Sequence, residues 1–194
     1  MSAKKRLYTP TVEQIEAEIE RSNRNQRFVS AVRSTVFILI TVAAAAVLIS
    51  SLLFPVLKIY GNSMVPTLNE GQIVVAFKGS AFNTGDIVAF YYNNKILVKR
   101  VICDSGNWVN LSDDGTVYVN GTMLDEPYIS EKAYGTCDLD LPYQVPEGQV
   151  FVMGDQRASS IDSRCSIVGC VAEEQIVGRI VLCIWPLKDL GFVG

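Results

Sequence analysis

The chain has 194 residues, of which 49% are hydrophobic and 19% charged, with a net charge of −3 and no histidine. The absence of histidine excludes the Ser-His-Asp triad, Cys-His proteases and histidine-dependent metal hydrolases. The acidic balance argues against nucleic acid as a partner, because phosphates select a basic footprint, and neither a metal nor a cofactor is expected.

Residues 1–35 carry Lys4, Lys5, Arg6, Arg21, Arg24, Arg27 and Arg33 against Glu13, Glu16, Glu18 and Glu20, a balance of +3, which leaves −6 for the remainder. Within this tail "TPTVEQIEAEIERSNR" reads as a short, solvated juxtamembrane helix. Between Arg33 and Lys58 lie 24 residues without a formal charge, with the core "VFILITVAAAAVLISSLLF" at Val36–Phe54. About 20 apolar residues cross a bilayer as a helix, and Pro55 ends or kinks this one. A cleaved signal peptide would carry a shorter apolar run of ~7–15 residues close to the N-terminus, so an uncleaved anchor is expected. The positive-inside rule keeps the tail (1–33) in the cytoplasm, threads the anchor (34–56) and sends 57–194 across the membrane.

Beyond the anchor the chain reads as mostly β. The runs "QIVVAF" (Gln72–Phe77), "DIVAFYY" (Asp86–Tyr92), "ILVKRVI" (Ile96–Ile102), "TVYVN" (Thr116–Asn120), "GQVFVMG" (Gly148–Gly154) and "IVGRIVLCIW" (Ile176–Trp185) are rich in β-branched and aromatic residues. Gly, Asn, Asp and Pro punctuate them at turn positions. The more polar stretch 104–147 looks like an insertion with short strands of its own, a cap region on the β domain. All five cysteines (Cys103, Cys137, Cys165, Cys170 and Cys183) follow the anchor. An oxidising compartment would permit disulfides there, but spacing alone does not assign a pair.

Two residues are candidates for chemistry. Ser63 sits in "GNSMVPTL" (61–68), where a serine is ordinarily a turn-former. Were it a nucleophile, its base would have to be something other than histidine, and a Ser-Lys dyad requires a lysine that is neutral when it acts. In "ILVKRVI", strand alternation puts Lys99 on one face with Leu97 and Val101. Burial lowers an amine's pKa, and a fall from ~10.4 to near 7 costs roughly 4–5 kcal/mol, which a fold rarely retains without use. A lysine snorkelling from a half-exposed strand is the alternative. The neighbouring Arg100 stays charged and cannot act as a base.

Four ordered segments, "GNSMVPTL" (61–68), "GDIVAF" (85–90), "KRVI" (99–102) and "GDQRASSIDSR" (154–164), resemble the boxes of bacterial type I signal peptidases. "VYVNGTMLDEPYI" (117–129) and "GRIVLCIWPL" (178–187) agree, so the resemblance runs from the anchor nearly to the C-terminus. It implies a membrane-anchored, β-rich Ser-Lys peptidase fold with an inserted β cap region and one N-terminal transmembrane helix. Position by position, it implies Ser63 as nucleophile, Lys99 as general base and Ser160 as the hydroxyl that orients the lysine. Asp162 and Arg164 match residues that brace the loop, mainly as an ion pair. The Ser63 N–H matches part of the oxyanion hole, while Gly61 stands where some members add a hydroxyl. Gln156 and Ala158 depart from the usual Asn and Asp, and Asp155 reads as a turn and packing residue. Ile59, Met64, Leu97 and Val98 match substrate-pocket walls.

The implied activity is removal of signal peptides from exported preproteins after small residues, at A-x-A-like sites, on the outer side of a bacterial cytoplasmic membrane. Preproteins, membrane lipid and, by proximity, the export machinery are the implied partners. Nine residues separate Phe54 from Ser63, which keeps the serine within about 30 Å of the anchor's end. Two other readings stay open: a non-catalytic, membrane-tethered β binding module, and a self-cleaving Ser-Lys peptidase.

Overall fold

A single helix, α1, runs from Val12 to Leu53 in the computed structural model, which describes residues 11–79 and 82–193. Residues 1–10 of the expected cytoplasmic tail, including Lys4, Lys5 and Arg6, lie outside the described residues. At 1.5 Å per residue, the 42 residues of α1 extend about 63 Å. The expected juxtamembrane helix and anchor are therefore one continuous element, and none of its residues is buried. Among the described residues it is the one helix long and apolar enough to cross a membrane. It stops two residues before Pro55, whose ring disfavours helical backbone in the residue ahead of it, and Val56 already belongs to a strand.

Beyond α1 the regular elements among the described residues are all β, apart from two single 3-10 turns at 173–175 and 187–189. In chain order the strands are β1 (Val56–Lys58), β2 (Ile73–Phe77), β3 (Ile87–Tyr92), β4 (Lys95–Cys103), β5 (Trp108–Leu111) and β6 (Val117–Val119), followed by β7 (Thr122–Met123), β8 (Tyr143–Gln144), β9 (Gln149–Met153), β10 (Val171–Ala172), β11 (Ile176–Trp185) and β12 (Gly191–Phe192). The main sheet has the order β1-β2-β11-β3-β4-β9-β10, with β12 also paired to β11. A second sheet has the order β7-β6-β5-β8 and is drawn entirely from the polar stretch between Asp104 and Glu147. Each of the six predicted apolar runs forms a strand. The additional strands are two to four residues long, too short to show a period of two in sequence.

One hairpin sets the position of the chemistry. Asn93 and Asn94 both adopt positive φ, 44° and 60°, as a two-residue type I′ turn requires. The turn pairs Tyr92 with Lys95 and fixes the β3–β4 register so that Val88 faces Lys99 and Ile87 faces Arg100. Apolar side chains gather into three clusters. One packs Ile59, Met64 and Leu68 against Val74, Ile87, Ala89 and Ile180. A second joins Val88, Phe90 and Val101 with Val150 and Val152. The third lies under the smaller sheet, around Ile102, Val109, Val117 and Phe151. All five cysteines are free thiols.

Candidate active site

Ser63 lies in an irregular turn between β1 and β2. The turn is tied by Val65 N–H to Asn62 O (3.2 Å) and Leu68 N–H to Met64 O (2.8 Å). Met64 and Leu68 plug into the first apolar cluster, which anchors the turn while Ser63 stays partly exposed. Gly61 has φ +77°, with open space where a Cβ would go. Glycine is needed there for backbone conformation rather than for room.

Lys99 is 3% exposed, and its Nζ donates to Ser160 Oγ at 2.9 Å. Its cross-strand partner Val88 and its strand neighbours Leu97 and Val101 belong to one apolar cluster, as the alternation predicted. Burial is the chief influence on the amine and pulls its pKa from 10.5 down to about 8. The charges of Asp162 and Asp155 partly restore it, whereas Arg164 lowers it further. No hydrogen bond joins Lys99 Nζ to Ser63. The two residues meet as walls of one cleft, and catalytic hydrogen bonds in unliganded sites are often long.

The loop 154–164 supplies the partner hydroxyl and joins the two residues. Ser160 is 3% exposed. Asp162 accepts Gly154 N–H at 2.9 Å and is clasped by Arg164 through Nε and Nη2, both at 2.9 Å. Burial pushes the Asp162 carboxyl up, but its hydrogen bond with Arg164 and that residue's charge, with help from Gly154 and Ser160, leave it below the ordinary value. Arg164 also reaches Tyr134 O (2.7 Å) and Arg157 O (2.9 Å). A Cβ on Gly154 would collide with Ser160 Oγ and stand 2.5 Å from Ser63 O, so this glycine permits the loop to close on the Ser63 turn. Gln156 makes its contact with that turn through the backbone, its N–H donating to Ser63 O at 3.0 Å. Ala158 is exposed.

Sequence reasoning overlooked a second buried network. Arg100 grips Asp155 with Nε–Oδ1 at 2.9 Å and Nη2–Oδ2 at 2.7 Å, and also reaches Gly85 O (2.7 Å) and Thr67 Oγ1 (3.2 Å). Its guanidinium lies 3.8 Å from the centre of the Tyr128 ring. Asp155 is thus the carboxylate of an ion pair, more than the turn residue expected from "GDQR". Arg157 pairs with Glu126 and donates to Gly154 O at 3.1 Å. The adjacent "KR" and the "DE" of "LDEPYI" were the available signals, but only tertiary contact shows that they meet this loop.

The cleft has a volume of about 710 Å³. One wall is formed by Val56–Gly61 with Ser63 and Met64, and the other by Lys95–Lys99. All four expected pocket residues line it: Ile59, Met64, Leu97 and Val98. Both walls end in free backbone. β1 is the outermost strand of the sheet, and β9 pairs with β4 only from Arg100 onward, leaving one edge of 95–99 open.

The model of the family described as "Signal peptidase, peptidase S26" matches residues 32–185. A signal peptidase I of Bacillus licheniformis is 36% identical over 78% of this chain and 88% of its own length. Signal peptidase I T of Bacillus subtilis is 35% identical over 75% and 81%, and signal peptidase IB of Staphylococcus aureus is 37% identical over 68% and 78%. A crystal structure of a signal peptidase I from Enterococcus faecalis, 31% identical, covers 52% of this chain and 97% of its own, with a TM-score of 0.44. The chain is a serine protease, a hydrolase with a β-rich domain and one long apolar helix suited to a membrane anchor. It belongs to the signal peptidase family, peptidase S26, and signal-peptide processing is the activity this membership supports.

Proposed function

We propose that the protein is an endopeptidase that cuts signal peptides from exported preproteins after small residues, through a Ser63–Lys99 dyad. The single observation that carries this reading is a buried lysine, its pKa drawn to about 8, lining the same cleft as the one serine of the GNSMVPTL turn. Near neutral pH a useful fraction of such an amine is uncharged and able to accept a proton. Lys99 takes the proton of Ser63, and the serine oxygen attacks the carbonyl carbon of the scissile bond. Lys99 then passes that proton to the leaving amine. Neutral again, it draws a proton from the water that hydrolyses the acyl-enzyme. Ser160 holds the amine in place, and the Asp162–Arg164 pair holds Ser160's loop.

The tetrahedral oxyanion is met by the Ser63 backbone N–H, which no acceptor among the described residues takes. Fixed donors of this kind are commonly the largest contribution in acyl transfer. The open edges of β1 and β4 suit an extended peptide that adds its backbone hydrogen bonds to a sheet. Ile59, Met64, Leu97 and Val98 form shallow apolar walls that accept small side chains. In this reading α1 crosses the bacterial cytoplasmic membrane with its N-terminal part in the cytoplasm. Residues 57–194 act outside, next to lipid and to emerging preproteins.

The test is incubation of the detergent-solubilised full chain with a preprotein, and mass-spectrometric mapping of the cut. The expected result is cleavage after the small residue, abolished by Ser63→Ala. Binding without turnover by the unmutated protein would sink the peptidase reading and favour a tethered binding module.

A further inference from the structure

The wall residues of the cleft include Lys58 and Lys95 as well as Lys99, and no Asp or Glu. Lys99 is buried, whereas Lys58 and Lys95 are both exposed. Lys58 lies 5.6 Å from the centre of the Tyr60 ring, and neither exposed lysine forms an ion pair among the described residues. Two exposed lysines without an ion pair among the described residues thus line an apolar cleft, in a part of the chain whose balance is −6. The proposed dyad has no role for either lysine.

Their place along the walls says what they meet. Both walls run toward the reacting pair with increasing residue number, from Lys58 to Ser63 and from Lys95 to Lys99. Lys95 precedes Lys99 by four residues on β4, a distance of about 13 Å at 3.3 Å per residue. The proposed small-residue pockets, with Ile59, Leu97 and Val98, lie between the lysines and the reacting pair. The lysines therefore border the substrate's signal-peptide side, upstream of the small residues. An extended peptide advances by the same ~3.3 Å per residue, so the side chain beside them sits three to five residues before the cut.

We infer that Lys58 and Lys95 form a charge-selective subsite that favours preproteins with an Asp or Glu three to five residues before the scissile bond, and disfavours Lys or Arg there. This rests on the proposed peptidase reading. Exposed ion pairs are weak and sensitive to salt, so the preference is a tuning of rate rather than a gate.

The experiment uses the full chain in neutral detergent and a peptide series on one A-x-A site. A single Asp, Asn or Lys is placed in turn at each of the six positions before the cut. At low salt, kcat/KM for Asp over Asn should reach about threefold to fivefold only at positions three to five, with Lys below Asn, and should shrink at high salt. In the Lys58→Gln/Lys95→Gln double variant the Asp/Asn ratio should fall to one, whatever the absolute rate. Equal cleavage of all peptides by the unmutated protein, or an Asp preference that survives the double variant, would overturn the inference and leave the peptidase intact. If the ratio is unaffected and the double variant instead loses activity only on vesicles of anionic lipid, the lysines serve headgroups and the inference also fails. No cleavage of any peptide would count against the peptidase reading itself.

Discussion

Lys99 and Arg100 are consecutive residues of β4, both buried, and the fold treats them in opposite ways. Arg100 receives a bidentate carboxylate, a backbone carbonyl, a hydroxyl and an aromatic face. Lys99 receives one neutral hydroxyl. A buried cation must either be paired or lose its charge, and here the two solutions stand side by side. The pairing makes Arg100 a fixed brace between the Ser63 turn and loop 154–164. The lack of a carboxylate partner lets burial draw the Lys99 pKa down, which is what the proposed base role requires. Arginine suits the first role because its planar fork matches a carboxylate and does not deprotonate, and lysine suits the second because burial shifts it readily.

Exchanging the chemistry at position 99 should have the largest effect. Lys99→Arg keeps length and charge but supplies no base, so kcat/KM for a preprotein should fall by about 10²–10⁴, the range associated with general acid–base catalysis. In the unmutated protein kcat/KM should rise with pH through a midpoint near 8, where the Lys99 amine loses its proton. Full activity in the arginine variant, or a profile flat from pH 6 to 10, would end the distinction between the two residues.

Removing the brace should act on stability. Arg100→Met leaves Asp155, itself 1% exposed, as a buried carboxylate without its partner, at a cost of about 3–5 kcal/mol. Urea unfolding of the detergent-solubilised chain measures it, and a loss below about 1 kcal/mol would show that the pair holds little.

Removing the base should have the opposite sign. The folded pKa of Lys99, about 8, lies below its ordinary 10.5. Between these values the unfolded chain binds the proton and the folded one does not. Stability is therefore lost as pH falls from about 10.5 to about 8, and stays lost below that. Lys99→Met should thus be inactive yet more stable at pH 7, by up to about 3 kcal/mol, with the gain shrinking toward pH 10.5. A methionine variant less stable than the parent at pH 7 would mean that the amine is not held out of water.

Much of this was legible in the chain itself. The apolar run at 36–54, the six β-branched runs and the lack of histidine follow from composition and period, which act locally. Lys99 stood out because strand alternation assigns its neighbours before any fold is known, and Ser63 because GNSMVPTL resembles a signal peptidase box. The juxtamembrane helix was legible, but its continuity with the anchor through 25–33 as one helix from Val12 to Leu53 was not.

Other features arose only from contacts between segments distant in sequence. Asp155 with Arg100, Glu126 with Arg157, and Gln156 N–H with Ser63 O join segments 31 to 93 residues apart, and no local pattern encodes such a meeting. The depressed pKa of Lys99 is of the same kind. Alternation chose its face, but the depth of burial depends on how β3, β4 and loop 154–164 close together, because desolvation sums over every neighbour that excludes water. The residue types were thus decided by sequence, and the electrostatic state of the Lys99 amine was decided by the tertiary structure.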